Sequence, residues 1–561
     1  MHNNIPFIQK QSGDKVETHE EIEEELLNHF KQIHQDQRED RRHAIRKITS
    51  NIPKIITEEQ NELLMRPILP QEVDEAMKQL KEGKAPGPEG FSTTFFHSFW
   101  DMLKEEVWQI VEESRATCWL LPSLNATFIT LIPKEEDSIT PDKFRPIALC
   151  NVIYKVISKV IANRLKPLLP GLISPEQSGY VEGRHIMDGI LLSHEIIHSL
   201  KHSKQSGMLL KLDLSKAFDK LSWNYIHDML IAFGFCSPWI CWIMNLITST
   251  HFSILVNGIP SHPFNPSRGI RQGDPLSPFL FVLMAEGLGR HIKRALLSHQ
   301  IKGIYVHNSP ATSHHQFVDD TMLFSYPSAQ EAHRLKSLLQ DFSEASGMHI
   351  NCSKSQIFFF HTPPSVKTAV SRILGFPVAS LPSKYLGAPL SASALKQPAW
   401  RSLLEKLENR LNLWTYRTLN LASRIVLIKS VLQAMPLYLF SILAAPKWVL
   451  KSIRNLQHNF LWSSAATNRK WALVKWTNVC MPKEKGGIGL RDPEHSNSIM
   501  NAKIWWQWIT SPDKPWGKIW TAKYAGNRPQ EKLIRFIPTE KGSTIWNAAK
   551  QHHQLIQKHN F

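Results

Sequence analysis

"QFVDDTMLF", residues Gln316 to Phe324, sets two adjacent aspartates between Phe317–Val318 and Met322–Leu323–Phe324. Residues of this apolar, aromatic and β-branched kind favour strands, yet a buried strand has no ordinary place for two neighbouring anions. Two readings are open. Aspartate favours turns because its side chain bonds its own backbone, so the pair can mark a hairpin corner. Alternatively the carboxylates meet a cation. Over His314–Phe324 the pattern predicts a strand, a tight turn and a strand.

A second acid raises the same question. In "MLLKLDLSKAFDKLSW" Asp213 interrupts Met208, Leu209, Leu210, Leu212 and Leu214, a run apolar enough for a strand buried on both faces. An unpaired carboxylate there costs several kcal/mol in desolvation. Lys211 or Lys216 could meet it as a salt bridge, or a bound cation could. For Asp319 and Asp320 like-charge repulsion adds to the burden. Three carboxylates at strand ends in a basic chain suit a pair of Mg²⁺ ions, which take oxygen ligands and complete their shells with water and phosphate. Two such ions, about 3.5–4 Å apart, are a known device for phosphoryl transfer.

Composition narrows the partners. With 561 residues the chain should divide into several domains, and 42% apolar with 20% charged residues is globular, not disordered. Lys+Arg exceed Asp+Glu by 66 to 49, a formal charge of +17, which points to a polyanion such as nucleic acid. The six cysteines are scattered without a CxxC pair, so neither a disulfide framework nor a zinc site is expected, and a reducing compartment is. "MHNNIPFIQKQSGDK" lacks the apolar core of a signal peptide. Leu419–Pro446 is interrupted by Arg424, Lys429, Gln433 and Pro436 and does not read as a membrane span. A soluble intracellular protein of nucleus or cytoplasm is expected.

Along the chain, Thr18 and Glu21 form a capping box ahead of Ile22, Leu26, Phe30 and Ile33 at helical spacing. "HQDQREDRRHAIRK" reads as a solvated helix or linker, and "LPQEVDEAMKQL" as a helix burying Val73, Ala76, Met77 and Leu80. "KEGKAPGPEGF" is an ordered loop by its Gly and Pro density. "NATFITLIPK" and "FSILVNG" are strands; "CNVIYKVISKVIANRLKPLLP" and "SPFLFVLMAEGLGRHI" are helices. Mixed elements without βαβ alternation give an α+β fold. From about residue 395 the pattern is helical, and tryptophans gather beyond 440: Trp448, Trp462, Trp471, Trp476, Trp505, Trp506, Trp508, Trp516, Trp520 and Trp546. These are expected to be core residues.

In this order, "LIPK", "FRPIALCNVIYKVISKVIANRLK", "EQSGYVEGRHIMDGI", "LKLDLSKAFDKLSW", "RGIRQGDPLSPFLF", "FVDD", "INCSKSQ" and "KYLGAPL" resemble a reverse transcriptase of a plant-type non-LTR retrotransposon of the LINE kind. The resemblance covers residues 55–395 closely and the C-terminus more loosely. It implies a right-hand polymerase: a helical N-terminal extension (1–55), fingers (56–200), a palm with metal site and primer grip (201–394), a helical thumb (395–465) and a Trp-rich region (466–561). It implies RNA-directed DNA synthesis with an RNA template, a DNA primer, deoxynucleoside triphosphates and two Mg²⁺ ions.

Residue by residue, the resemblance makes Asp213 and Asp319 the principal metal ligands, with Asp320 more peripheral. It makes Lys134 and Arg145 the holders of the incoming triphosphate, a task suited to a mobile ammonium and a planar guanidinium. Phe218 falls where an aromatic excludes a ribose 2′-hydroxyl, and Gln272 and Gly273 where the chain packs on the incoming nucleotide. Lys354 matches a lysine that protonates pyrophosphate. Tyr385, Leu386 and Gly387 lie in the primer-grip segment, and "GKAPGPEG" in a loop that tracks the template backbone. Two positions depart from the pattern. Val318 replaces the common Ala before the aspartates, a β-branched residue expected to suit a strand, and Glu89 replaces an Asp. A complete element of this kind carries an endonuclease ahead of the polymerase; the short stretch before the match implies that it is lacking. No zinc is expected at Cys480. The rival readings are a decayed nucleic-acid-binding remnant and a group II intron maturase; "KAPGPEG" and "IANRLK" favour the LINE type.

Overall fold

The run that reads as a doubly buried strand is one. Met208, Leu210 and Leu212 join one core and Leu209 joins another, as the two-residue period of a strand requires. The computed structural model describes the chain except residues 1–3, 11, 39, 136–137, 392, 413, 415–418, 463–471, 527, 534–535, 537–540, 554 and 556–561, so Trp471 lies outside the described residues.

Two four-stranded sheets organise the α+β fold. Their strands, and a short hairpin after them, are β1 (Ala126–Pro133), β2 (Phe144–Cys150), β3 (Gly207–Leu212), β4 (His251–Val256), β5 (Ile259–Pro260), β6 (His314–Phe317), β7 (Asp320–Ser325), β8 (Gln356–Phe360), β9 (Ser383–Tyr385) and β10 (Ala388–Leu390). One sheet runs β2–β1–β4–β5, with β1 and β4 parallel. The central sheet runs β8–β3–β7–β6 and is antiparallel throughout. Like β3, β7 divides its side chains between the two cores, Leu323 to one and Met322 and Phe324 to the other.

Among the helices that flank the sheets or build the C-terminal core are α1 (His19–His34), α2 (Val152–Leu165), α3 (Ile186–His202), α4 (Ser277–Leu297), α5 (Ala434–Phe440), α6 (Pro493–Thr510), α7 (Pro515–Tyr524) and α8 (Thr544–Gln551). Thr18 caps α1 by accepting from the Glu21 N–H, and Ile22, Leu26 and Phe30 pack with Ile129, Leu131 and Ile254 of the first sheet. The apolar stripes of α2 and α4 bury as their spacing predicts. The "HQDQREDRRHAIRK" stretch departs from expectation: its second half is the helix Arg42–Thr49, which buries Ala44, Ile45 and Ile48. Three apolar residues at helical spacing outweigh the flanking charge.

The tryptophans of α6, α7 and α8 are core residues, as expected, except Trp506, which like Trp448 is exposed. Trp505, Trp508, Trp516, Trp520 and Trp546 of α6, α7 and α8 are buried and meet edge to face or tilted at centroid separations of 5.0–5.8 Å. Leu421–Phe440 is long and apolar enough to cross a bilayer by length and composition, with mean hydropathy 1.3. It is broken by a π-helical turn at Ile428–Leu432, and its Lys429 ammonium donates to the Ile488 carbonyl at 2.7 Å. All six cysteines are free thiols.

Candidate functional site

Strand register brings the separated acids together. Thr321 of β7 pairs with Leu212 of β3. Asp320 and Asp213 each stand one residue beyond that rung, where antiparallel Cα atoms are about 4.5–5.5 Å apart. Asp320 also pairs with Phe317, leaving Val318 and Asp319 as a two-residue hairpin turn. The hairpin-corner reading of the DD pair therefore holds, and the register sets that corner beside a third acid.

Electrostatics register the convergence. Burial, followed by repulsion from Asp213, raises the Asp319 carboxyl above its ordinary value. Burial, then Asp319 and, more weakly, Asp213, push Asp320 up to about 6, against a counter-effect from Lys211. The salt-bridge alternative for Asp213 is not taken. Lys211 donates instead to the Lys384 carbonyl at 2.9 Å, and Lys216 pairs with Asp142 at 2.7 Å. Among the described residues no ion pair joins any of the three acids.

That donor set fits a hard divalent cation in chemistry: oxygen ligands, half-buried, with uncompensated negative charge. Among the described residues, however, no three of His, Cys, Asp and Glu already close around one point as a finished cage.

Backbone contacts fix Asp213 from the far side. Its N–H donates to the Ser355 hydroxyl at 3.1 Å, and its carbonyl accepts from the Asn351 N–H at 2.8 Å. The "INCSKS" turn thus clamps the residue and sets Lys354 on the same loop. Sequence reading singled out Lys354 but missed Asn351 and Ser355, since only the fold places them against Asp213.

Val318 differs from expectation. It lies not in a strand but at the first turn position, with φ +58°. Such a left-handed β-branched residue costs roughly 1–2 kcal/mol. A two-residue hairpin turn demands positive φ there to match strand twist, so turn geometry overrides the β preference of valine.

The cationic candidates gather nearby. Partial burial and then the neighbouring Lys216 and Lys354, with a smaller effect from Arg145, lower the Lys134 ammonium. Lys216 was missed in this role, and it is held between Asp142 and His29 of α1, at 3.0 Å from the imidazole. Phe218 stacks on Phe281 of α4 with centroids 4.6 Å apart. Gln272 reaches Asp219, whose burial raises its carboxyl to about 7. Gly273 has φ +123°, and a Cβ there would stand 2.8 Å from the Ala148 carbonyl. Within the protein its close approach is to β2. Asp274 holds the start of α4 by accepting from the Ser277 N–H at 2.8 Å.

The β9–β10 hairpin also reaches the acids. Leu386 and Gly387 form its turn, with φ +48° and +80°. Tyr385 is buried in the core, and burial and then Asp320 raise its hydroxyl. The Leu386 carbonyl accepts from the Tyr438 hydroxyl of α5. At the "GKAPGPEG" loop, the Glu89 carboxylate accepts from the Val152 N–H at the start of α2, a favourable place for an anion.

Comparison with known proteins gives this geometry a context. Residues 132–390 match the family "Reverse transcriptase (RNA-dependent DNA polymerase)". Over 449 residues, 78% of this chain and 33% of the relative, the chain is 26% identical to the "Transposon TX1 uncharacterized 149 kDa protein" of Xenopus laevis. Over 336 residues, 57% of this chain and 30% of the relative, it is 29% identical to the "Retrovirus-related Pol polyprotein from type-2 retrotransposable element R2DM" of Drosophila melanogaster. An uncharacterized mitochondrial protein of Arabidopsis thaliana is 49% identical over 74 residues, 13% of this chain and 61% of that one. The chain spans about a third of the length of the first two.

Proposed function

With residues 132–390 matching the reverse transcriptase family as the premise, we propose that this chain is an RNA-directed DNA polymerase of a non-LTR retrotransposon. It extends a DNA primer on an RNA template with deoxynucleoside triphosphates. The observation that carries this reading is the set of Asp213, Asp319 and Asp320 at one end of β3 and β7, with no ion pair to any of them among the described residues.

The primer 3′-hydroxyl attacks the α-phosphate in line, and pyrophosphate leaves. Asp213 and Asp319 would hold two Mg²⁺ ions, with Asp320 peripheral; bound there, the ions supply charge stabilisation at the reacting phosphate. Lys134 and Arg145 grip the triphosphate, and Lys354 delivers a proton to pyrophosphate. Phe218, immobilised on Phe281, occupies the space a 2′-hydroxyl would need. Gln272 and Gly273 pack on the incoming nucleotide, while Tyr385 props the turn at Leu386 and Gly387 that holds the primer. The segments divide as fingers (56–200), palm (201–394), thumb (395–465) and Trp-rich region (466–561), after a helical extension (1–55). Its formal charge of +17 favours the template phosphates without regard to base sequence, so binding weakens steeply with salt.

The test is primer extension by the full chain on an RNA template with Mg²⁺. Wild-type extends; Asp213→Asn and Asp319→Asn do not, while their template affinity stays within a few fold. Extension retained by either variant overturns the metal assignment. Wild-type that binds template tightly yet never extends is a binding remnant.

A further inference from the structure

The "EQSGY" segment carries chemistry that the polymerase roles leave unused. Gln177 is fully buried, and its backbone lies parallel to β6 opposite Gln316. The Gln316 N–H donates to the Glu176 carbonyl at 2.8 Å, and the Ser178 N–H donates to the Gln316 carbonyl at 2.9 Å. From this anchored position the Gln177 side chain reaches the aspartate turn. Its Oε1 accepts from the Val318 N–H at 2.9 Å, and its Nε2 donates to the Val318 carbonyl at 3.2 Å. A side-chain amide here replaces one rung of a β-ladder, satisfying both polar groups of a residue that has no strand partner. Its Oε1 also accepts from the Gly179 N–H at 2.9 Å, which fixes the amide orientation.

Two neighbours make the grip rigid. Arg184 donates to the carbonyls of Gln177 at 2.7 Å and Ile173 at 2.8 Å, holding the segment from behind. A Cβ on Gly179 would stand 2.6 Å from the Val318 Cγ2 and 2.8 Å from its nitrogen, so the chain passes close against the turn. The residue gripped is the left-handed valine next to Asp319. Strained backbone of this kind persists only where its surroundings over-determine it.

We propose that Gln177 is a positioning residue for the catalytic hairpin: its amide holds Val318 in the left-handed conformation that presents Asp319 to Asp213. This rests on the proposed polymerase function. It predicts that loss of the amide weakens the use of Mg²⁺ without weakening the hold on template. It also predicts that a residue at 318 adopting positive φ freely removes the need for the grip.

The experiment compares full-length wild-type, Gln177→Met, Gln177→Ala, and Gln177→Met combined with Val318→Gly. Each is assayed for template affinity and for primer extension across a Mg²⁺ titration. Gln177→Met keeps the volume but loses the paired hydrogen bonds, so extension at low Mg²⁺ should fall roughly 10–100-fold, the usual range for groups that orient metal ligands. The Mg²⁺ concentration for half-maximal rate should rise, template affinity should hold, and adding Val318→Gly should recover most of the loss. Wild-type Mg²⁺ dependence in both single variants would overturn the proposal. So would a loss that Val318→Gly leaves untouched while template affinity is normal, because Gln177 would then serve packing alone. If wild-type itself binds template and never extends, the polymerase reading fails and takes this inference with it.

Discussion

Two groups of acids in this molecule share a setting and differ in company. Asp188 and Glu195 of α3 are buried where that helix meets the Trp-rich region. Lys514 reaches Asp188 at 3.1 Å and the Trp516 indole N–H donates to it at 2.8 Å. Lys523 reaches Glu195 at 3.1 Å and the Tyr524 hydroxyl donates to it at 3.0 Å. Among the described residues, Asp213, Asp319 and Asp320 have no such partners, although Lys211 and Lys216 are close in sequence to the first of them. Burial alone therefore does not mark a functional acid here. The α3 carboxylates are accounted for by the cations their own chain supplies, whereas the three at the hairpin lack such pairs among the described residues, and the proposed metal site is what would account for them.

The largest expected effect lies in the unpartnered group. Asp213→Asn or Asp319→Asn should reduce primer extension by at least about a hundredfold, with thermal stability equal to or above wild-type because a repulsion is relieved. A variant that loses both stability and extension would place these acids with the structural pair. Next, Glu195→Ala strands the Lys523 ammonium, which is only 7% exposed, and should cost about 3–5 kcal/mol in denaturant unfolding. Specific activity of the folded fraction should be unchanged. A cost below about 1 kcal/mol would blur the contrast from the other side.

A smaller effect concerns pH. Asp320 sits at about 6 in the fold against about 3.9 in an unfolded chain. Between those values the folded state binds the proton more tightly, so the contribution of this group is fully present below about pH 4 and is lost as pH rises through 6. In a chelator, Asp320→Asn should therefore gain stability relative to wild-type between pH 4 and pH 7. Unfolding curves at the two pH values check this, and a gap that does not change with pH would contradict it. The smallest effect is Lys211→Met, which removes a nearby cation that lowers Asp320. The midpoint of the same stability gap should move to higher pH, and a midpoint that stays put would separate Lys211 from the site.

What the sequence disclosed and what it withheld divide along physical lines. The strand–turn–strand around Asp319, the doubly buried β3, the capped α1 and the buried tryptophans follow from patterns repeating every two or 3.6 residues. The three acids stood out because charge inside such a pattern is costly. The left-handed backbone of Val318 did not, since valine at that position reads as strand and only the paired register of β6 and β7 demands otherwise. Gln177, Ser355 and Asn351 were equally hidden. Each acts on a backbone far away in sequence, and an uncharged polar residue in a loop gives no sign of which peptide it will meet. Glu89 read only as a departure from pattern, and its contact with Val152 needed the fold.

The most direct test is a Mn²⁺ titration of the nucleic-acid-free protein followed by electron paramagnetic resonance. Wild-type should take up Mn²⁺ saturably, and Asp213→Asn and Asp319→Asn should both lose that binding although the two residues lie 106 positions apart in sequence. Uptake that survives in either variant would show that the two acids do not share one cation site.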